Sequence, residues 1–86
     1  MEILLSGDGV MLKVFSSDSC VYCRRLKSFL DDRRIRYDVI DVNECEDNYN
    51  RLISVSGQTG IPVVLADNGN FVVGFRPEEI LRLADS

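Results

Sequence analysis

Cys20-Val21-Tyr22-Cys23 sets two thiols two residues apart, where a short apolar run gives way to helical periodicity. That spacing puts both sulfurs in the first helical turn, within reach of a short intramolecular disulfide. A helix start offers unpaired backbone N–H groups and the positive end of the dipole, and both favour a thiolate over a thiol. A thiol in such a place can fall from about 8.5 into the range of roughly 3.5 to 7.5. Thiol–disulfide exchange needs an exposed, ionised attacker, a second thiol beside it and a surface that aligns an extended substrate. Cys20, nearer the helix start and the solvent, is the candidate attacker, and Cys23, one turn deeper, the candidate resolving thiol. Arg24, Arg25 and Lys27 add positive charge around this helix, although a solvated helix face explains them equally well.

Two blander readings compete with redox chemistry: a buried apolar pair, or half of a zinc site. Zinc normally takes four ligands, and the chain has no histidine and only Cys45 left over. Redox is therefore the stronger reading, and Cys45 is assigned no role. Ile61-Pro62 is the second point of interest. An X-Pro bond is cis in only about 5–6% of folded cases, so the residues alone favour a trans proline opening an edge strand.

The elements that must carry these residues follow from periodicity and turn chemistry. Leu12-Lys13-Val14-Phe15 reads as a strand, and Ser16 to Ser19 as a polar loop in which Asp18 or Ser19 could cap the next helix. Tyr22, Leu26, Phe29 and Leu30 then form an apolar stripe that runs out near Arg33-Arg34. Tyr37 to Val42 is a second strand, which completes a βαβ unit. Glu44 to Ser56 reads as a helix capped by Asn43, with Tyr49, Leu52 and Ile53 inward, and Gly57 to Gly60 breaks it. Pro62 to Leu65, the turn Asp67-Asn68-Gly69 and Phe71 to Val73 make a hairpin. Pro77 opens a last helix whose buried side is Ile80, Leu81, Leu83 and Ala84.

At 86 residues and 45% apolar, the chain can build one small core without disulfide staples. Its net charge of −4 argues against a nucleic-acid footprint, which needs a basic excess. The absence of histidine removes the commonest general base and metal ligand. Three cysteines do not make a secreted disulfide framework, nothing reads as a signal peptide or a membrane span, and the expected compartment is the reducing cytoplasm. Residues 1–10 fit the pattern poorly and read as an N-terminal extension, with Met11 an alternative start.

The cysteine motif after a strand, Ile61-Pro62 before one, and Gly74-Phe75-Arg76-Pro77 before the last helix together resemble the glutaredoxins of the thioredoxin-like superfamily. The Cys-Val-x-Cys form and Gly74 to Ile80 resemble the NrdH-redoxins more narrowly. That resemblance implies an α/β fold of glutaredoxin type over residues 11–86: a four-stranded mixed sheet flanked by three helices. It implies a cis peptide at Ile61-Pro62 against the cysteine pair, reversing the expectation above. It also implies that the backbone of Ile61 pairs with an extended substrate near Cys20. Tyr22, Ile61, Pro62, Gly74, Phe75 and Arg76 are the substrate-binding candidates.

The implied activity is reduction of protein disulfides by a monomer without a tightly bound cofactor, with ribonucleotide reductase as one client. Reducing equivalents would come from thioredoxin reductase and NADPH, or from glutathione. The chain departs from glutathione-binding patterns: Ser17 replaces a lysine, Gly60-Ile61-Pro62 replaces Thr-Val-Pro, and Pro77 has no N–H to offer. Those missing donors favour thioredoxin reductase, while Arg76 could still attract a glutathione carboxylate. A glutathione-dependent monothiol reaction and a dimeric [2Fe–2S] or zinc-binding redoxin are the alternatives.

Overall fold

In a computed structural model, which describes residues 11–85, Leu12, Val14 and Phe15 lose all solvent exposure because their strand lies inside the sheet. That strand, β1 (Leu12–Ser16), is followed by α1 (Val21–Asp32), β2 (Tyr37–Asp41), α2 (Glu46–Ser56), β3 (Val63–Leu65), β4 (Phe71–Val73) and α3 (Pro77–Asp85). The sheet order is β2-β1-β3-β4. β1 pairs parallel with β2 and antiparallel with β3, and β3 pairs antiparallel with β4. This is the implied four-stranded mixed sheet with three helices. The expectation for residues 1–10 lies outside the described residues.

Alternation along the strands divides the core between the two sheet faces. Leu12, Val14, Val64 and Val72 join Leu26 and Leu30 of α1 and Ile80 and Leu83 of α3 on one face. Phe15 and Val63 point the other way and join Val42 and Leu52 beneath α2. Truncating a fully buried leucine such as Leu26 or Leu30 to alanine costs about 2–5 kcal/mol, so either change threatens the whole domain.

Most expected elements are present, with shifted edges. β2 stops at Asp41, but the Val42 N–H still donates to Ser16 O at 3.0 Å. The expected hairpin forms: Ala66 N–H bonds Asn70 O at 2.9 Å, and Gly69 takes the positive φ of 93° that the turn requires.

Four helix expectations need correction. The N-cap of α1 is Cys20 itself, not Asp18 or Ser19. Its buried stripe is Cys23, Leu26 and Leu30, so Tyr22 falls outside and is 58% exposed. The helix α2 starts at Glu46 with Cys45 as N-cap, because Asp41 holds Asn43 and Glu44 in a turn through bonds to their N–H groups. Only Leu52 is fully buried there; Tyr49 and Ile53 stay exposed because, among the described residues, a single helix faces this side of the sheet.

Candidate active site

Strand register brings three loops to one end of the sheet. Phe15 stands opposite Val63, and Val63 opposite Val73. One step further lie Ser16 at the end of β1, Pro62 before β3 and Gly74 after β4. The Gly74 N–H donates to Pro62 O at 2.7 Å, carrying the pairing past the last strand residues. Ser17 to Cys20 leads from this end into α1. The Ile61-Pro62 bond is cis, as the resemblance implies and against the prior for an isolated proline.

At the start of α1, Cys20 has extended backbone (φ −92°, ψ 112°). Its sulfur accepts a hydrogen bond from the Cys23 N–H at 3.1 Å, one of the donors a helix start leaves unsatisfied. Cys20 is half-buried and Cys23 fully buried, and both are free thiols. Burial pushes the Cys23 thiol up to about 12. Its hydrogen bond to the Cys20 sulfur acts in the same direction, while the backbone of Ser17 and the charge of Lys27 oppose them. Cys23 therefore stays protonated at neutral pH.

The remaining candidates divide. Tyr22 projects to solvent beneath the Arg25 guanidinium, 5.3 Å from the ring centroid. Pro62 is buried and Ile61 half-buried. Among the described residues, neither the N–H nor the C=O of Ile61 has a hydrogen-bond partner. Phe75 turns onto α1, edge-to-face with Phe29 at 5.6 Å, so its ring packs the core. Arg76 is exposed and paired with Glu79 at 3.1 Å. It lines a shallow depression of about 450 Å³ with Pro77, Glu78, Glu79 and Arg82.

Ser17 was noted only as the replacement of a lysine, yet its backbone faces the buried thiol. Arg24 was noted only for its charge, yet it donates to Asp18 O at 3.0 Å and ties the loop to the helix. Among the described residues, no group of three or more His, Cys, Asp or Glu side chains is arranged to hold a metal ion. No described helix is long and apolar enough to cross a membrane.

Residues 12–72 match the glutaredoxin family model. The chain is 38% identical over 77 residues to a glutaredoxin-like 8.6 kDa protein of Clostridium pasteurianum, covering 87% of this chain and 99% of that one. It is 32% identical to the glutaredoxin-like protein NrdH of Lactococcus lactis subsp. lactis, over 86% of this chain and all of the relative. The solved NrdH-redoxin of Escherichia coli, a glutaredoxin-like protein with a thioredoxin-like activity profile, superposes with a TM-score of 0.75 at 27% identity. That match covers 85% of this chain and 93% of the other. With a Cys-x-x-Cys pair at the head of α1 in a thioredoxin-like fold, and a family match over most of its length, the chain belongs to the glutaredoxin family and is a thiol–disulfide oxidoreductase.

Proposed function

We propose that this protein reduces disulfides of protein clients by a dithiol cycle, with Cys20 as nucleophile and Cys23 as resolving thiol. The observation that carries this reading is the Cys20 sulfur serving as N-cap acceptor while Cys23 lies buried behind it. In the first step the Cys20 thiolate attacks one sulfur of the client disulfide. The other client sulfur leaves as a thiolate and takes a proton. Cys23 then loses its own proton and attacks Cys20 Sγ, releasing the second client thiol. The client has gained two electrons, and the protein holds a Cys20–Cys23 disulfide. An external reductant returns both thiols, and no tightly bound cofactor enters the cycle.

Ile61 is the docking backbone in this reading. Its unpartnered N–H and C=O can bond an extended client as an added strand would. Tyr22 and Pro62 flank that strand. The likeness to NrdH proteins supports ribonucleotide reductase as a client.

Thioredoxin reductase is the reductant favoured over glutathione. Ser17 brings no cation, Pro77 no N–H, and Arg76 already has a carboxylate partner in Glu79. Comparing NADPH oxidation with thioredoxin reductase against glutathione plus glutathione reductase tests this choice. Faster turnover with thioredoxin reductase is expected. Turnover with the glutathione system alone would reverse it.

A further inference from the structure

Between α2 and Pro62 the chain makes a short turn whose polar contacts come largely from one side chain, that of Gln58. Its Oε1 accepts from the Gly60 N–H at 2.6 Å, and its Nε2 donates to Gly60 O at 3.0 Å. The same Nε2 donates to Ser56 Oγ at 2.9 Å, and Ser56 Oγ donates to Leu52 O at 2.7 Å. The amide thus meets both backbone groups of Gly60 as a neighbouring strand would, and ties them to the last turn of α2. Gly57 makes the approach feasible: it ends α2 at φ 72°, its N–H bonded to Ile53 O at 2.7 Å. Gly60 makes the fit feasible, because a Cβ there would stand 2.7 Å from Gln58 Oε1.

The clamp ends one residue before the docking backbone. Gln58 holds both backbone groups of Gly60 against α2, while those of Ile61, one residue on, meet no partner among the described residues.

We propose that Gln58 is a positioning residue for protein clients: it occupies both backbone hydrogen-bonding groups of Gly60, so that a docked client strand pairs with Ile61 and no further back. The inference rests on Ile61 being the docking backbone. Holding that segment before the client arrives removes an ordering cost that only an extended client would otherwise meet. A small disulfide makes no strand and gains nothing from the clamp. Gln58 therefore sets preference between substrates without touching the reacting sulfurs.

The test is single-turnover reduction, by the pre-reduced full chain, of insulin and of hydroxyethyl disulfide. Gln58→Ala and Gly60→Ala are measured singly and together. Each single change is expected to slow insulin reduction roughly five- to tenfold, the scale of one or two lost hydrogen bonds, with hydroxyethyl disulfide within about twofold of wild type. The double variant is expected to be no slower than the slower single, since both changes dissolve the same clamp. Equal losses on both substrates, an unchanged insulin rate, or losses that simply add would overturn the proposal. If Gly60→Ala does not fold, the two-substrate ratio of Gln58→Ala decides alone. A wild-type protein that reduces neither disulfide would overturn the exchange cycle itself, and this inference with it.

Discussion

Two helices of this protein begin on a cysteine in extended conformation, Cys20 before α1 and Cys45 before α2, and their surroundings differ sharply. Cys20 accepts the N–H three residues on; Cys45 makes no side-chain cap bond. α1 has no acidic residue in its first turn, whereas α2 places Glu46 and Asp47 there. Those carboxylates themselves complement the positive end of the α2 dipole. A second thiol stands behind Cys20, and Cys45 projects into solvent. A cysteine at a helix start is therefore not by itself a redox site. The partner thiol, the used N–H and the neighbouring cis-proline loop set Cys20 apart.

The largest expected effects fall on activity. Cys20→Ser should drop insulin-disulfide reduction to the uncatalysed rate, because the proposed cycle has its sulfur as the nucleophile. Cys45→Ser should stay within about twofold of wild type, as expected for a surface change outside the machinery. Cys23→Ser should accumulate mixed disulfides with clients through Cys20, visible by intact mass and on non-reducing gels. Full turnover by Cys20→Ser, or loss of turnover in Cys45→Ser, would erase the distinction between the two helix starts.

What was readable without coordinates follows from how local each signal is. The β3–β4 hairpin is legible because Asp67-Asn68-Gly69 carries its own turn chemistry, and α3 because Pro77 and its acidic first turn mark a start. The cysteine pair is legible from spacing alone. Tyr22 is misplaced because the stripe, counted at i, i+4, i+7 and i+8, leaves out Cys23, the small apolar residue that is buried one position further on. Tyr49 and Ile53 have suitable spacing, but among the described residues the α2 side of the sheet has no second helix to cover them. The cis bond at Pro62 is invisible to residue preference and came only from resemblance. The Gln58 clamp has no periodic signature, since it joins a side chain to loop backbone two residues away.

A smaller effect separates the buried thiol from the exposed one through pH. Folding raises Cys23 from an ordinary 9.0 to about 12. The unfolded thiol therefore gives up its proton first as pH rises. Between those values the unfolded state binds fewer protons, so stability falls with pH, by at most about 1.4 kcal/mol per pH unit for one proton. Below pH 9 the contribution is fully present. Tyr37 behaves alike from 10 to about 12, through its burial and its bond to Asp31. Denaturant melts of reduced wild type and Cys23→Ser isolate the thiol: the variant should show a shallower decline above pH 9. Parallel curves would mean that Cys23 ionises as readily in the folded protein as in the unfolded chain.

The smallest effect is on stability at Cys45. That position already has N-cap backbone geometry, φ −157° and ψ 161°, but its side chain makes no cap bond. Serine is among the strongest N-cap residues, since its oxygen accepts from the N–H two or three positions on. Cys45→Ser should therefore stabilise the protein by roughly 0.5–1 kcal/mol, or raise Tm by about 2–8 °C for a domain of this size. At Cys20 the same change replaces an acceptor already in use, with its bond to the Cys23 N–H, so little cap stabilisation is left to gain. The difference between the two Tm shifts measures how fully each cysteine caps its helix. Equal shifts at both positions would mean that the Cys20 sulfur contributes no more to its helix than the idle one at Cys45, and would remove the cap bond as the ground for treating Cys20 as special.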